Sequence, residues 1–354
     1  MRGLLSGAVV LLSLAMLTAV VTGLALRLEW QASLARPLAV PADGPRLVVA
    51  PGRPLRAVAL ELETRGVLAN PQLLIVATHL TGEAKRIQAG EYQIVPSATL
   101  GDLLQDLLRG RVVQYSLTVI EGWTFGQLLD ALRRHEALTQ TLQGQPAEAV
   151  MERIGAPGVH PEGRFLPETY RFTRGTTDLE VLQRAYRQMS ELLAQTWAGR
   201  APDLPLASPD EALVLASIVE KEAAEPLERP RVAGVLVRRL ARGMRLQADP
   251  TVIYGLGERF DGDLRRQDLL TDTPYNTYTR RGLPPTPIAL PGRAALFAVV
   301  RPEAGNALYF VARGDGTHQF SDSLEEHRRA VARYQRRLDR PRAAEGSGEG
   351  ASPP

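Results

Sequence analysis

The 354-residue chain contains no cysteine. Disulfides, Cys-ligated zinc, iron–sulfur clusters and thiol nucleophiles are therefore excluded. Histidine is scarce as well: the five residues at 79, 135, 160, 318 and 327 form no HExxH-type spacing, so neither a metal site nor a cofactor is expected. A net charge of only +3, with no Lys/Arg run, leaves no nucleic-acid footprint. With 44% hydrophobic and 23% charged residues, the remainder reads as globular, with room for two domains and a sizeable core in at least one.

One long uncharged run is present. Residues 3–26, "GLLSGAVVLLSLAMLTAVVTGLAL", are enough to cross a hydrocarbon core of about 30 Å at ~1.5 Å per residue. A cleaved signal peptide would have a shorter apolar region, so a transmembrane anchor over residues 1–30 is the preferred reading. Arg2 and a short N-terminal tail place the N-terminus in the cytoplasm and the rest of the chain outside it. The Pro-rich segment 31–45 reads as an extended spacer, and residues 339–354 have the composition of a disordered tail.

Three stretches share one pattern: "VAPGRPLRAVALELETRG" from Val49, "IVPSATLGDLLQDLLRG" from Ile94 and "VIEGWTFGQLLDALRRH" from Val119. Each predicts a strand feeding a helix. Thr124 with Gln127 forms a capping box, which explains "EGW" structurally and leaves Glu121 without need of a catalytic role. Gly66 closes one helix, and Asn70 with Pro71 opens the next. Residues 46–95 thus read strand, helix, helix, strand, an order similar to the LysM fold that grips chains of amino sugars.

The stretch "SPDEALVLASIVEKEAAEP" begins at Ser208. Ser208 caps, Pro209 takes the first helical position and Glu211 the third, so the helix start is well defined. It is apolar nearly all round and should be buried, yet it ends in Glu220, Lys221 and Glu222. Small residues, Ala216, Ser217 and Ala224, share the Glu220 stripe. Partial desolvation and the negative end of the helix dipole both favour a protonated carboxyl there, the state a general acid needs. The bland alternative is a helix surfacing into solvent, with Lys221 as counter-charge. Glu222 lies about 200° round the helix from Glu220.

Downstream, "TPYNTYTRRGLPPTPIALPG" is a loop stiffened by five prolines. Tyr275 and Tyr278 can stack on sugar rings and Asn276 can bond an acetamido group; a packed Pro-aromatic loop explains them equally well. "ARGDGTHQ" reads as a hairpin turn with His318 on a strand. A Ser217–His318 pair is disfavoured because Ser217 sits mid-helix, without the strained turn of a nucleophile elbow.

Taken together, "IEGWTFGQLL", "PEGRFLPETYRF", "LASIVEKEA", "GVLVRRLARGMRLQADPTVIYG", "TPYNTYTRRGLPPTPIALPG" and "YFVARGDGTHQFSDSLEEHRRAV" resemble, in order, the endolytic murein (peptidoglycan) transglycosylases of the MltG or YceG-like family. The resemblance implies an α+β chain: an anchor (1–30), a linker (31–45), a LysM-like subdomain (46–115), a mixed α/β catalytic domain (116–338) and the tail. It implies a single-pass protein of the cell inner membrane with a periplasmic catalytic domain, acting on peptidoglycan strands beside membrane-bound peptidoglycan synthases. The Glu of its "VEKE" motif is catalytic, matched here to Glu220. Gln247, Asp249, Tyr275, Asn276 and Tyr278 match positions expected around the glycan cleft. Arg238 and Ala289–Leu290 depart from the family pattern and put nearby substrate contacts in question.

The implied reaction cleaves the β-1,4 bond between N-acetylmuramic acid and N-acetylglucosamine without consuming water. Glu220 protonates the leaving oxygen, then takes the proton of the sugar's own 6-hydroxyl as it closes a 1,6-anhydro end and terminates the strand. An intramolecular nucleophile needs no second carboxylate. The rivals are a lysozyme-like hydrolase, with Glu222, Asp249 or Glu168 as the partner of Glu220, and a non-catalytic glycan-binding wall protein.

Overall fold

The computed structural model describes residues 2–41, 44–223 and 225–338; the tail expected over 339–354 and Ala224 lie outside them. The chain divides into two compact units, residues 1–116 with 171–176, and residues 117–170 with 177–354. It is a mixed α/β protein whose sheets among the described residues are all two-stranded.

The first unit begins with α1 (Arg2–Leu34). Its stretch Val10–Leu34 contains a window of mean hydropathy 2.0 and is, by length and composition, long and apolar enough to cross a membrane. Then follow β1 (Arg46–Val49), α2 (Leu55–Thr64), α3 (Pro71–Leu80), β2 (Gly90–Gln93), α4 (Leu100–Arg109) and the start of β3 (Tyr115–Thr118). The expected order of strand, helix, helix, strand is present, with β1 and β2 antiparallel and Leu47 opposite Tyr92. Local chemistry sets the boundaries: Asn70 accepts from the Leu73 N–H with Pro71 at N1, and Thr99 and Asp102 make a reciprocal capping box.

Glu91 is the buried polar centre of this unit. Its side chain is 3% exposed and meets Arg46 at 3.3 Å, Arg174 at 2.7 Å and the Tyr115 hydroxyl at 2.5 Å. Burial alone would raise its carboxyl; the bonds from Tyr115 and Arg174 outweigh it and hold the group below its usual range.

The spacer expected over 31–45 requires correction. Helix α1 runs on to Leu34, Leu38 is buried in the first unit's core, and Trp30, Leu34 and Val40 pack against it. The backbone of 36–39 is tied down too: Leu38 N–H to Ala98 at 2.9 Å and Leu100 N–H to Arg36 at 3.3 Å. Prolines 37 and 41 suggested a free tether, but the apolar residues between and before them find a core to bury in.

The second unit contains α5 (Phe125–Arg134), α6 (Ala147–Ile154), the start of β4 (Thr169–Phe172), α7 (Asp178–Ala198), α8 (Pro209–Glu222), α9 (Arg229–Ala241), α10 (Asp249–Leu256), α11 (Arg266–Leu270), α12 (Arg293–Val300), β5 (Tyr309–Ala312), β6 (His318–Ser321) and α13 (Leu324–Leu338). Helix α8 is its axis. Ala212 to Val219 are all buried, as an apolar circumference demands, and α7, α9, α10 and α12 pack around it. Ser208 caps it as expected, while the Glu211 carboxylate reaches one residue further back, to the Ala207 N–H at 2.7 Å. Thr124 and Gln127 form the expected capping box of α5.

Because Trp30, Leu34, Leu38 and Val40 belong to a core, where the anchor is cut matters. A soluble form beginning at Arg27 should unfold at the temperature of the full chain. One beginning at Gly44 should lose at least about 1.5–3 kcal/mol, the worth of one fully buried apolar side chain such as Leu38, with the partly buried Trp30, Leu34 and Val40 adding to the loss, read as a lower urea midpoint for the first unit.

Candidate active site

Helix α8 ends in three charged residues whose side chains leave in different directions. Glu220 turns inward, its side chain 4% exposed. One carboxyl oxygen accepts from Arg229 Nη2 at 2.7 Å and the other from the Gly292 N–H at 2.9 Å. Arg229 is buried at the first position of α9 and also holds Glu121, at 3.2 Å. A Cβ on residue 292 would overlap the Glu121 carboxyl, so a larger residue there would push that side chain aside. Burial raises the Glu220 carboxyl above its usual range, with the Gly292 N–H and Arg229 pulling the other way.

Glu222 instead lines a cleft of about 420 Å³ with Gln247, Asp249, Tyr278, Arg239 and His318. It keeps partial solvent contact on the cleft side while protein encloses the rest. Burial pushes its carboxyl up to about 8; the negative charge of Asp249 adds to the rise and Arg239 opposes it. Among the described residues, no hydrogen bond holds that carboxyl. The proton is therefore free to move toward something bound in the cleft.

The opposite wall is rigid. Gln247 has φ 51°, the one non-glycine positive φ among the described residues, a conformation that costs energy and marks functional positions. It is held there by its N–H to the Thr277 carbonyl at 3.2 Å, and the Ala248 N–H bonds the Thr277 hydroxyl at 3.0 Å. Asp249 starts α10 and accepts a short hydrogen bond from the Tyr278 hydroxyl. Arg239, buried, donates to the Leu308 and Leu246 carbonyls, both at 2.7 Å. His318 places its backbone N–H and ring Nδ1 on Glu228, the ring contact at 2.7 Å.

Three of the five expected glycan positions, Gln247, Asp249 and Tyr278, thus converge, and they converge on Glu222. Glu220, the expected catalytic residue, lies apart from them: Arg229 and Gly292 hold its oxygens, and it is not among the residues that line the cleft. Asn276 lies apart as well. It is 1% exposed, its Nδ2 donates to the carbonyls of Asp268, Leu269 and Thr271, and its Oδ1 accepts from the Tyr278 and Thr279 N–H groups. Tyr275 packs edge-on against Tyr254 at 4.9 Å and its hydroxyl meets Thr286 at 2.8 Å. Both side chains are engaged in packing and hydrogen bonds within the loop.

The other expectations sort in the same way. Ser217 donates to the Val214 carbonyl and accepts from the Ile288 N–H, so it is not paired with His318. Arg238 braces the carbonyls of Glu303 and Ala307, and Ala289 and Leu290 are fully buried; these departures lie in packing, outside the cleft lining. Glu222, Arg239 and the Glu228–His318 pair went unassigned as site residues. No local signal separates Glu222 from Glu220; the difference arises because Arg229, at the start of the next helix, folds back onto Glu220.

Two substitutions separate support from chemistry. Glu220→Ala should destabilise by about 3 kcal/mol by removing the buried one of the two carboxylates that pair with Arg229. Asn276→Ala, which leaves buried carbonyls and N–H groups unpaired, should cost about 2–4 kcal/mol. Both should lower the denaturant midpoint; an Asn276→Ala protein of native stability that binds glycan weakly would restore the sugar-contact role.

The chain is similar to several known proteins. A relative from Bacillus subtilis (strain 168), named endolytic murein transglycosylase, is 30% identical over 300 residues, 80% of this chain and 82% of its own length. A protein of the same name from Streptococcus pneumoniae (serotype 2, strain D39) is 27% identical over 282 residues, 70% of this chain; that match spans about half, 51%, of the longer relative. The crystal structure of a YceG-like protein from Listeria monocytogenes superposes with a TM-score of 0.50 at 27% identity, covering 82% of this chain and all of that one. The YceG-like family profile matches residues 47–333, and the chain belongs to that family.

Proposed function

We propose that this chain is a membrane-anchored endolytic peptidoglycan transglycosylase whose acid and base is Glu222. The observation that carries the assignment is the convergence of Gln247, Asp249 and Tyr278 on a carboxyl with a pKa near 8. The name shared by its relatives supports the substrate.

In this mechanism the Glu222 proton passes to the glycosidic oxygen as the bond from the anomeric carbon of N-acetylmuramic acid breaks. The carboxylate so formed takes the proton of the same sugar's 6-hydroxyl, whose oxygen closes on the anomeric carbon. One bond breaks, one forms, Glu222 ends protonated and no water is consumed. The Asp249 charge, held by Tyr278, faces the cation-like transition state, and the strained Gln247 presents its side chain to the strand. Asp249 beside Glu222 also fits a hydrolase with two carboxyl groups; product mass decides, since hydrolysis adds a water.

The helix α1 anchors the chain in the inner membrane with its N-terminus in the cytoplasm and both units in the periplasm. Because α1 continues into the first unit's core, that unit stays at the bilayer surface, where new strands emerge beside the synthases. Its antiparallel strand, helix, helix, strand order supports a LysM-like grip on glycan.

Glu222→Gln should lower turnover of purified peptidoglycan by about 10²–10⁴ with the fold intact, read as loss of 1,6-anhydro products by mass spectrometry. Activity within a few-fold of wild type would overturn the assignment. The reaction needs the protonated acid, so the rate should fall as pH rises past about 8. Stability follows the same sign. The folded carboxyl titrates above its ordinary value of 4.5, so the protonated form's contribution is complete below about pH 4.5 and is lost as pH rises through about 8. The melting temperature of Glu222→Gln should therefore gain on wild type between pH 5 and 9.

A further inference from the structure

The last turn of α8 separates two hollows. Glu222 faces the cleft described above; Lys221, about 100° round the helix, lines a second hollow of about 890 Å³. Helix α10 borders both: Asp249 at its start faces the cleft, and Tyr254, further along, lines the second hollow. Neighbouring residues thus line the two hollows, Glu222 and Asp249 the cleft and Lys221 and Pro250 the second.

The second hollow is built for a polar ring with apolar faces. Tyr254 and Phe260 supply aromatic surface, and Thr124 and Gln127 supply hydrogen-bonding groups. Sugar rings offer matching surfaces, C–H faces for the aromatics and hydroxyl or acetamido edges for the polar groups. In the wall lies Glu162, 4% exposed, accepting from the Phe125 N–H at 2.9 Å and the Tyr254 hydroxyl at 3.1 Å. Among the described residues no cation pairs with it, and burial pushes its carboxyl up to about 7. It thus ties α5 to α10 without placing a fixed charge where neutral sugar would sit. The cation at this hollow is Lys221, exposed, its Nζ 3.3 Å from the Gly122 carbonyl. The anionic group of a muramic acid strand is the carboxylate of its lactyl side chain or stem.

We propose that the hollow between Lys221, Tyr254 and Phe260 is a second glycan subsite, which holds the strand beyond the cleaved bond and pairs Lys221 with a muramyl carboxylate. The proposal rests on the placing of cleavage at Glu222. It gives an endolytic preference a structural origin: a strand filling both hollows binds better than a strand end that fills one.

The test uses the full chain in detergent carrying Glu222→Gln, so that strands bind without being cut. The probes are glycan strands stripped of stem peptides, with free lactyl carboxylates, of one and of four disaccharide units, titrated by calorimetry. Affinity should rise with length, and adding Lys221→Gln or Phe260→Leu should weaken the long strand about tenfold, the equivalent of one charge-assisted hydrogen bond or one ring contact, while changing the single disaccharide less than twofold. The Lys221 effect should shrink in 0.5 M salt. Long-strand affinity unchanged in both variants, or equal losses for long and short probes, would overturn the subsite. The function itself is tested separately: if the parent chain makes no anhydro ends yet the length dependence holds, the cleavage reading fails and the subsite stands.

Discussion

The second unit depends on one buried contact, the Arg229 guanidinium on the Glu220 carboxylate at 2.7 Å. Helix α8 is apolar nearly all round, so burial fixes it in the core without fixing where its C-terminal turn ends or how it is rotated. Arg229 on α9 and the Gly292 N–H preceding α12 seize that turn from two elements at once. An ion pair this buried adds little net stability but is costly to break, which suits a device that fixes geometry. With Glu220 held, the 100° helical step leaves Lys221 and Glu222 only the directions they take.

Three carboxyls around this turn show how environment sorts identical groups. Glu220 is buried with a cation and an N–H and acts as a structural tie. Glu162 is buried with donors alone and approaches neutrality near pH 7. Glu222 is enclosed on most sides, has Asp249 near it and holds its proton to about pH 8. An acid that must both donate and retrieve a proton works best when its pKa lies near the working pH, and of the three only Glu222 also lines the cleft with Gln247, Asp249 and Tyr278.

Much of this was legible in the sequence. Caps at Asn70, Thr124 and Ser208, the buried run Ala212–Val219 and the repeated strand-to-helix pattern are local signals, and the structure repeats them. What the sequence could not resolve was nonlocal. Desolvation and the helix dipole argue for a protonated carboxyl at either Glu220 or Glu222, and choosing between them requires knowing that Arg229 folds back across the turn. Likewise "PYNTY" contains one residue that faces the cleft and two that hold the loop, a division set by Asp268–Thr271 carbonyls that claim Asn276.

The same reasoning explains why segment 30–40 misled. Proline content predicts an extended chain, but an extended chain becomes a spacer only if nothing near it offers apolar surface. Here Leu38 finds the core formed by α2, α3 and α4, and the segment becomes part of the unit it was expected to hold at a distance. The reach of the first unit from the bilayer is then set by a continuous helix, α1, whose rise of ~1.5 Å per residue is less than half that of an extended chain at ~3.3–3.6 Å. A helix also resists bending where a linker would sample a wide volume, so under the proposed anchoring the first unit is confined in height above the bilayer.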